Sequence, residues 1–212
     1  MFFDEIMKEH INGNRIHVIP DNKIDKLQRA LGSNCLNYMI NQYALMIYGD
    51  NGKPTIIDKV LQRVIVDTLG KYRDNIHITI ILDDDGVSYT DLKNNVLNKL
   101  QSISKDKSKF NPLSDFEEDN GSFIMKHPRS RGTLIIKLST IPLSLEYQVA
   151  EKMVGVTCPH NSGILNNGAR DALKYLVKEY YDGNEEKLIR DSATQFVGEI
   201  WVKEILRSIS FR

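Results

Sequence analysis

An apolar run that ends in three aspartates constrains the fold of this chain more than any other stretch. Residues 76–82 read Ile-His-Ile-Thr-Ile-Ile-Leu, which is the length and chemistry of a strand buried on both faces in a parallel sheet. Asp83, Asp84 and Asp85 follow directly, and Gly86 ends the stretch. In an open α/β sheet, the carboxyl ends of the strands form the edge where ligands bind. The stretch therefore predicts an α/β sheet with an acidic ligand-binding edge.

The stretch alone leaves two readings of the three aspartates open. Side chains alternate along a strand, so Asp83 and Asp85 share one side and Asp84 faces the other, for as long as the strand continues. Two adjacent carboxylates repel each other unless a proton or a cation lies between them. Mg²⁺ is suited to that position because it takes carboxylate oxygens and keeps waters for a phosphate. In the other reading, the aspartates cap the following helix and solvate a loop.

Three strand–helix units in succession predict parallel strands joined by right-handed crossovers. The predicted strands are residues 15–20, 43–48 and 76–82. In the second unit, Gly49 to Lys53 forms a tight loop, and Pro54 stands where first-turn prolines belong. The third helix is predicted to run from Tyr89 to Ser104, with apolar residues at helical spacing.

The pattern changes after the third helix. Residues 104–120 are polar and charge-rich, and predict a mobile surface loop. Residues 122–126 and 133–138 predict two strands joined as a hairpin. The remaining sequence is helical in pattern, with candidate helices at 143–154, 168–181 and 185–209, the last broken near Asp191. We therefore expect an α/β domain over residues 1–150 and a helical C-terminal extension over residues 151–212.

Acidic residues recur at or just after predicted strand ends. They are Asp21, the triplet at 83–85 and, more loosely, Glu146. If the strands are parallel neighbours, these carboxylates converge on one edge, as a Mg²⁺ site for phosphoryl chemistry requires. Taken singly, Asp21 fits a helix N-cap better than a metal ligand, and Glu146 fits a first-turn acid at the positive end of its helix better.

Two basic features are candidates for contact with phosphate. Gly52 and Lys53 lie where a strand meets a helix N-terminus, which suits a phosphate but equally suits an ordinary turn. Arg129 and Arg131 lie at the hairpin tip, which is either a nucleic-acid contact or a solvated turn. Cys158 and His160 lack a second ligand pair, so we reject a zinc site there.

Composition excludes several classes of protein. Lys+Arg and Asp+Glu both number 28, so no global charge draws the chain to nucleic acid or to a membrane. No apolar run approaches the ~18 residues of a membrane span, and the N-terminus lacks the pattern of a signal peptide. Two cysteines do not make a disulfide framework, so we expect a reducing cytoplasm and no membrane association.

The order of these pieces resembles the Toprim domain of topoisomerases, bacterial primases, OLD-family nucleases and small archaeal Toprim-like proteins. That family has a strand with an acid, a strand with a glycine-lysine turn, and a strand that ends in Asp-x-Asp. Here the matching residues are Asp21, Gly52-Lys53 and Asp83-x-Asp85, and Glu146 resembles the acidic helix start that follows the sheet in the archaeal members. The resemblance covers residues 14 to 150 and implies a mostly parallel sheet with flanking helices.

The first motif of the family differs from this sequence. Toprim domains usually have Glu-Gly there, with the glutamate as general acid or base, whereas this chain has Asp21-Asn22. Aspartate is one methylene shorter, which changes the geometry of proton transfer. An alternative alignment places Tyr48-Gly49 at the Glu-Gly position and removes the acid. In both alignments the metal-binding acids match the family better than the catalytic acid does.

The resemblance implies a Mg²⁺-dependent protein, or a Mn²⁺-dependent one, that acts on DNA or RNA, most simply a nuclease. It implies Asp83, Asp85 and Glu146 as metal ligands and Asp21 as the catalytic residue. Gly52, Lys53, Arg129 and Arg131 would bind substrate. A catalytically degenerate Toprim-like scaffold, which binds nucleic acid, a nucleotide or a protein partner, is the alternative. A third reading is an unrelated α/β domain in which the acids are caps. In either Toprim-like case, the C-terminal helices are candidates for contact with a protein partner or a second copy.

Overall fold

The computed structural model describes nine stretches of the chain, and every structural statement below concerns them. They are residues 2–8, 15–19, 24–31, 45–49, 52–68, 75–105, 116–119, 121–126 and 132–209. Strands and helices both contribute, so the predicted α/β class is confirmed. No helix in these stretches is long and apolar enough to cross a membrane.

The described residues contain six strands and eight helices. The strands are β1 (Ile16–Ile19), β2 (Leu45–Tyr48), β3 (Ile76–Asp83), β4 (Phe116–Asp119), β5 (Ser122–Lys126) and β6 (Thr133–Ile141). The helices are α1 (Phe2–Lys8), α2 (Ile24–Ala30), α3 (53–68), α4 (Tyr89–Lys105), α5 (Leu145–Thr157), α6 (Ala169–Tyr180), α7 (Glu185–Phe196) and α8 (Ile200–Ser208). Within α3, Ile56–Leu61 is π-helical, and a 3₁₀ segment, Pro159–Asn167, links α5 to α6.

The strands are paired as two sheets in the part of the chain that is described. β1 and β2 form a parallel pair, and the second sheet has the order β3-β6-β5-β4. In that sheet β3 and β6 are parallel, whereas β6, β5 and β4 are antiparallel neighbours. The parallel pairing of β1 with β2 agrees with the sequence prediction, whereas the pairing of β3 with β6 was not predicted. The four-stranded sheet is mixed and not mostly parallel, because two of its three pairings are antiparallel. The expected single sheet is not seen among these residues.

The hairpin of β5 and β6 is confirmed, but two boundaries from the sequence are wrong. β6 continues three residues past Leu138 because Ser139 to Ile141 keep pairing with the end of β3. Within the predicted loop at 104–120, residues 116–119 form β4, which pairs with β5. The sequence of β4, Phe-Glu-Glu-Asp, lacks the apolar alternation that marks a half-buried strand, so it was not predicted.

β3 is covered on both faces, as its composition predicts. Ile80 and Leu82 belong to a core made with β5, β6, α3 and α4. Ile81, which points the other way, packs against a second core formed by α1 and the C-terminal helices. A smaller third core lies between β1, α2 and α3. Packing on both faces holds β3 between these cores and so positions Asp83 at its end.

The C-terminal helices share a core with the N-terminus. The Phe2 ring lies edge-on to the Phe196 ring, with the ring centroids 5.4 Å apart, and stacks on the Trp201 ring, with the centroids 6.3 Å apart. The apolar residues Trp201, Val202 and Ile205 of α8 are buried in this core, whereas Ile200 at the start of the helix is 75% exposed. The predicted break near Asp191 is wrong: α7 continues to Phe196, and the chain turns over residues 197–199. Gly198 in that turn is the better breaker, since Asp191 continues the helix without strain.

Candidate functional site

The end of β3 lies directly beside the end of β6. Asp83 pairs with Ile141 in the parallel register. Beyond the strand, the Asp84 N–H donates to the Ile141 carbonyl at 2.9 Å, and the Asp85 N–H donates to the Leu143 carbonyl at 2.8 Å. The acidic triplet and the segment that leads into α5 therefore run side by side at the carboxyl edge of the sheet, where α/β proteins bind ligands.

Asp84 holds this junction together. Its Oδ1 accepts from the Leu143 N–H at 2.8 Å and from the Gly86 N–H at 2.9 Å. Leu143 has a φ of 58°, a left-handed conformation that is unfavourable for a branched residue. The Asp84 carboxylate compensates by satisfying the Leu143 N–H in that conformation. Asp84 is thus a structural residue that holds the loop after β3, and because β3 ends at Asp83, strand alternation does not extend to Asp84 and Asp85.

Replacing Asp84 by alanine is expected to lower the free energy of unfolding by about 1–3 kcal/mol, because two backbone N–H groups lose a charged acceptor. Asp84→Asn keeps an oxygen at the same place and should lie within about 1 kcal/mol of the wild type. Urea unfolding of the three proteins measures the difference. Equal stability of Asp84→Ala and the wild type would contradict the structural role.

Asp83 is half-buried and faces the start of α5. Its Oδ1 accepts from the Leu145 N–H at 2.9 Å, in the first turn of that helix. Burial raises the pKa of Asp83 above its ordinary value of 3.8, and the negative charges of Asp85 and Glu146 raise the pKa further. The Leu145 N–H and the Lys53 ammonium act in the opposite direction. A carboxyl group in this environment is short of positive charge, which is the condition that a bound cation relieves.

The raised pKa of Asp83 predicts a pH-dependent stability. The folded state binds the Asp83 proton more tightly than the unfolded state does, so its contribution to stability falls as pH rises from about 3.8 through the folded pKa. Asp83→Asn removes this slope, and the variant should gain on the wild type between about pH 4 and pH 7. Unfolding free energies at both pH values, without divalent cations, test this. A pH-independent difference between the two proteins would contradict it.

Asp85 lies beyond the strand and forms an ion pair with Lys53. Asp85 has a φ of 47°, so a left-handed turn, and not strand alternation, sets its direction. Its Oδ2 is 2.7 Å from the Lys53 Nζ. Gly52, with a φ of 127°, turns the chain into α3, and Pro54 stands in the first turn of that helix as predicted. The predicted glycine-lysine junction is therefore brought to the same edge as the aspartates.

The reading in which the aspartates cap the following helix is wrong for α4. Ser88 caps that helix: its Oγ accepts from the Asp91 N–H at 3.1 Å and donates to the Asp91 carboxylate at 2.7 Å. Asp83 instead meets the N-terminus of α5, which is distant in sequence. That pairing depends on the β3–β6 register, so no local pattern predicts it.

The structure brings together four of the predicted site residues: Asp83, Asp85, Lys53 and Glu146. Glu146 is exposed in the first turn of α5 and is close enough to raise the pKa of Asp83. Gly52 precedes Lys53 at the same junction. Asp21, Arg129 and Arg131 lie outside the described residues.

Two carboxylates at an open edge fit Mg²⁺, which takes one or two carboxylates and keeps several waters. Asp85 is 59% exposed on its side chain, which leaves room for water and substrate. Among the described residues, which include Asp83, Asp85 and Glu146, no group of three or more His, Cys, Asp or Glu side chains could hold a metal ion. The predicted set of three ligands is therefore not assembled there. The oxygen ligands of Asp83 and Asp85 are of the kind that Mg²⁺ or Mn²⁺ takes, whereas zinc prefers nitrogen and sulfur ligands.

Comparisons of the chain with protein-family models, curated proteins and solved structures find no match. The functional interpretation consequently rests on the geometry of the β3–β6 edge. Sequence reasoning missed the backbone donors of that edge, the N–H groups of Leu143 and Leu145. Ser144 is a sequence signal for the second of them, because its side chain caps α5. No sequence signal marks the left-handed conformation of Leu143.

Proposed function

We propose that this chain is a Mg²⁺-dependent Toprim-like protein that acts on nucleic acid, most simply a nuclease that hydrolyses phosphodiester bonds. The observation that carries the proposal is the meeting of Asp83, Asp85 and Lys53 at the carboxyl edge of β3. Phosphoryl chemistry needs carboxylates for a metal ion and a positive group for the phosphate, and these residues supply both.

In this proposal Asp83 and Asp85 hold the cation, and Glu146 contributes directly or through water. The cation, Mg²⁺ or Mn²⁺, would neutralise the charge that develops on the phosphodiester. Lys53 contacts a phosphate oxygen of the substrate, next to the N-terminus of α3. Glycine at position 52 allows the backbone to approach that phosphate closely.

The order of elements supports the Toprim-like part of the proposal. Each of β1, β2 and β3 is followed by a helix. Lys53 follows β2, and Asp83-x-Asp85 lies at the end of β3, which is the order of elements on which the resemblance rests. Asp21 follows β1 and is proposed as the general acid or base. Arg129 and Arg131, between β5 and β6, are proposed to contact the nucleic-acid backbone.

A catalytically degenerate scaffold is the second candidate, and one observation favours it. Both carboxylates already have protein partners, since Asp83 accepts from the α5 N-terminus and Asp85 pairs with Lys53. An edge whose carboxylates already have protein partners can bind nucleic acid, a nucleotide or a protein partner without cleaving anything.

Incubation with end-labelled single-stranded and double-stranded RNA and DNA separates the two candidates. A nuclease cleaves one of them when Mg²⁺ or Mn²⁺ is added, and a variant with Asp83→Asn and Asp85→Asn does not. Binding in a gel shift without cleavage would indicate the scaffold. Equal cleavage by wild type and variant would mean contamination and would remove the enzyme proposal.

A further inference from the structure

Lys53 already supplies a cation to the acidic edge. Its Nζ lies 2.7 Å from the Asp85 carboxylate, and it lowers the negative potential around Asp83. Lys53 is fixed at one end, in the first turn of α3, and its ammonium is carried on a flexible stem. The side chain is 22% exposed and that of Asp85 is 59% exposed, so the pair is not sealed inside the protein.

We propose that Lys53 is a built-in counter-ion that competes with the divalent cation for Asp85. The inference rests on the proposed function, because it assumes that Asp83 and Asp85 hold that cation. The Lys53–Asp85 ion pair is then the resting form of the site. Lys53 must leave Asp85 when a divalent cation binds, and its ammonium becomes available to an anion such as phosphate at the same moment.

The geometry makes this exchange inexpensive. The Asp85 side chain is 59% exposed, so water can replace Lys53 as its partner, and an ion pair that water reaches at one end requires little free energy to break. A divalent cation at Asp85 would repel an ammonium a few ångströms away, so the two cannot share the carboxylate without a penalty. The π-helical segment that begins at Ile56, just after Lys53, is a feature often found at functional sites.

The competition predicts that removal of the Lys53 charge increases the affinity for a divalent cation. For Lys53→Met, the dissociation constant of Mn²⁺ is expected to fall by about three- to tenfold, the range for loss of an exposed ion pair plus weak repulsion. Lys53→Arg keeps the charge and should stay within about twofold of the wild type. Lys99→Met is the matched control. Lys99 lies on α4, and its Nζ is 3.9 Å from the Asp58 Oδ1 on α3, so this ion pair does not involve the aspartates at the end of β3.

Calorimetric titration of the full chain with Mn²⁺ alone measures the dissociation constants of the wild type and of Lys53→Met, Lys53→Arg and Lys99→Met. Tighter binding by Lys53→Met only, with Lys53→Arg and Lys99→Met near the wild type, supports the competition. Equal or weaker binding by Lys53→Met overturns the competition. If the Asp83→Asn, Asp85→Asn variant loses Mn²⁺ binding in the same experiment, the proposed metal site still stands although the competition fails. If the wild type binds no Mn²⁺, the proposed function fails and the competition fails with it.

Discussion

Phe196→Ala is expected to lower the free energy of unfolding by about 3–5 kcal/mol, the range for truncating a large aromatic side chain in a packed core. Phe196 is 1% exposed at the end of α7 and lies edge-on to the rings of Phe2 and Trp201. The substitution removes these ring contacts and leaves a cavity that its rigid neighbours cannot fill. Such a loss is a large part of the stability of a typical domain.

Ile200→Ala is the matched control for Phe196→Ala. Ile200 lies four residues later but is 75% exposed, so its truncation should change the free energy of unfolding by less than about 0.5 kcal/mol. Urea unfolding monitored by Trp201 fluorescence and by far-UV circular dichroism measures both variants. If the two variants were equally stable, the shared core of α1, α7 and α8 would be wrong.

Combined replacement of Asp83 and Asp85 by asparagine is expected to reduce metal-dependent cleavage of nucleic acid by at least about 10²–10³-fold. Loss of electrostatic stabilisation of the transition state, at several kcal/mol, gives a reduction of this size. Asparagine at position 83 still accepts from the Leu145 N–H, so the edge of the sheet keeps its shape. The loss would therefore report charge and not unfolding.

Asp171→Asn serves as the control for charge removal in the cleavage assay. Asp171 is an exposed aspartate on α6, paired with Lys174 at 3.4 Å. Its replacement removes one negative charge away from the β3–β6 edge and should leave the cleavage rate unchanged. A double variant that cleaves as fast as Asp171→Asn would contradict the roles given to Asp83 and Asp85.

The sequence predicts the strand–helix units well, because each depends on local chemistry. The apolar run before Asp83 has the length and chemistry of a buried strand, and Pro54 stands where first-turn prolines of helices are common. The acidic edge was predicted for the same reason, since strand ends of parallel neighbours must meet. The contact between Lys53 and Asp85 was not predicted, because it joins the helix after β2 to the end of β3, and these strands belong to different sheets in the described part of the chain.

Non-local pairing accounts for what the sequence does not predict. The extension of β6 through Ser139 and Thr140 depends on β3, and a polar pair looks like a strand end when it is read alone. The pairing of Asp83 with the N-terminus of α5 joins residues 62 positions apart, so it follows from the β3–β6 register only. The division of the chain near residue 150 stays a prediction, and Phe2, Phe196 and Trp201 show packing between its two parts.

Direct measurement of divalent-cation binding tests the central claim, that Asp83 and Asp85 form a cation site at the carboxyl edge of β3. The wild type should bind one Mn²⁺ per chain in a calorimetric titration, and its melting temperature should rise by about 5–10 °C at a hundredfold excess over the dissociation constant. The Asp83→Asn, Asp85→Asn variant should show neither effect, whereas Asp171→Asn should show both. A folded wild type that binds no Mn²⁺, or a double variant that binds it equally well, would contradict the claim.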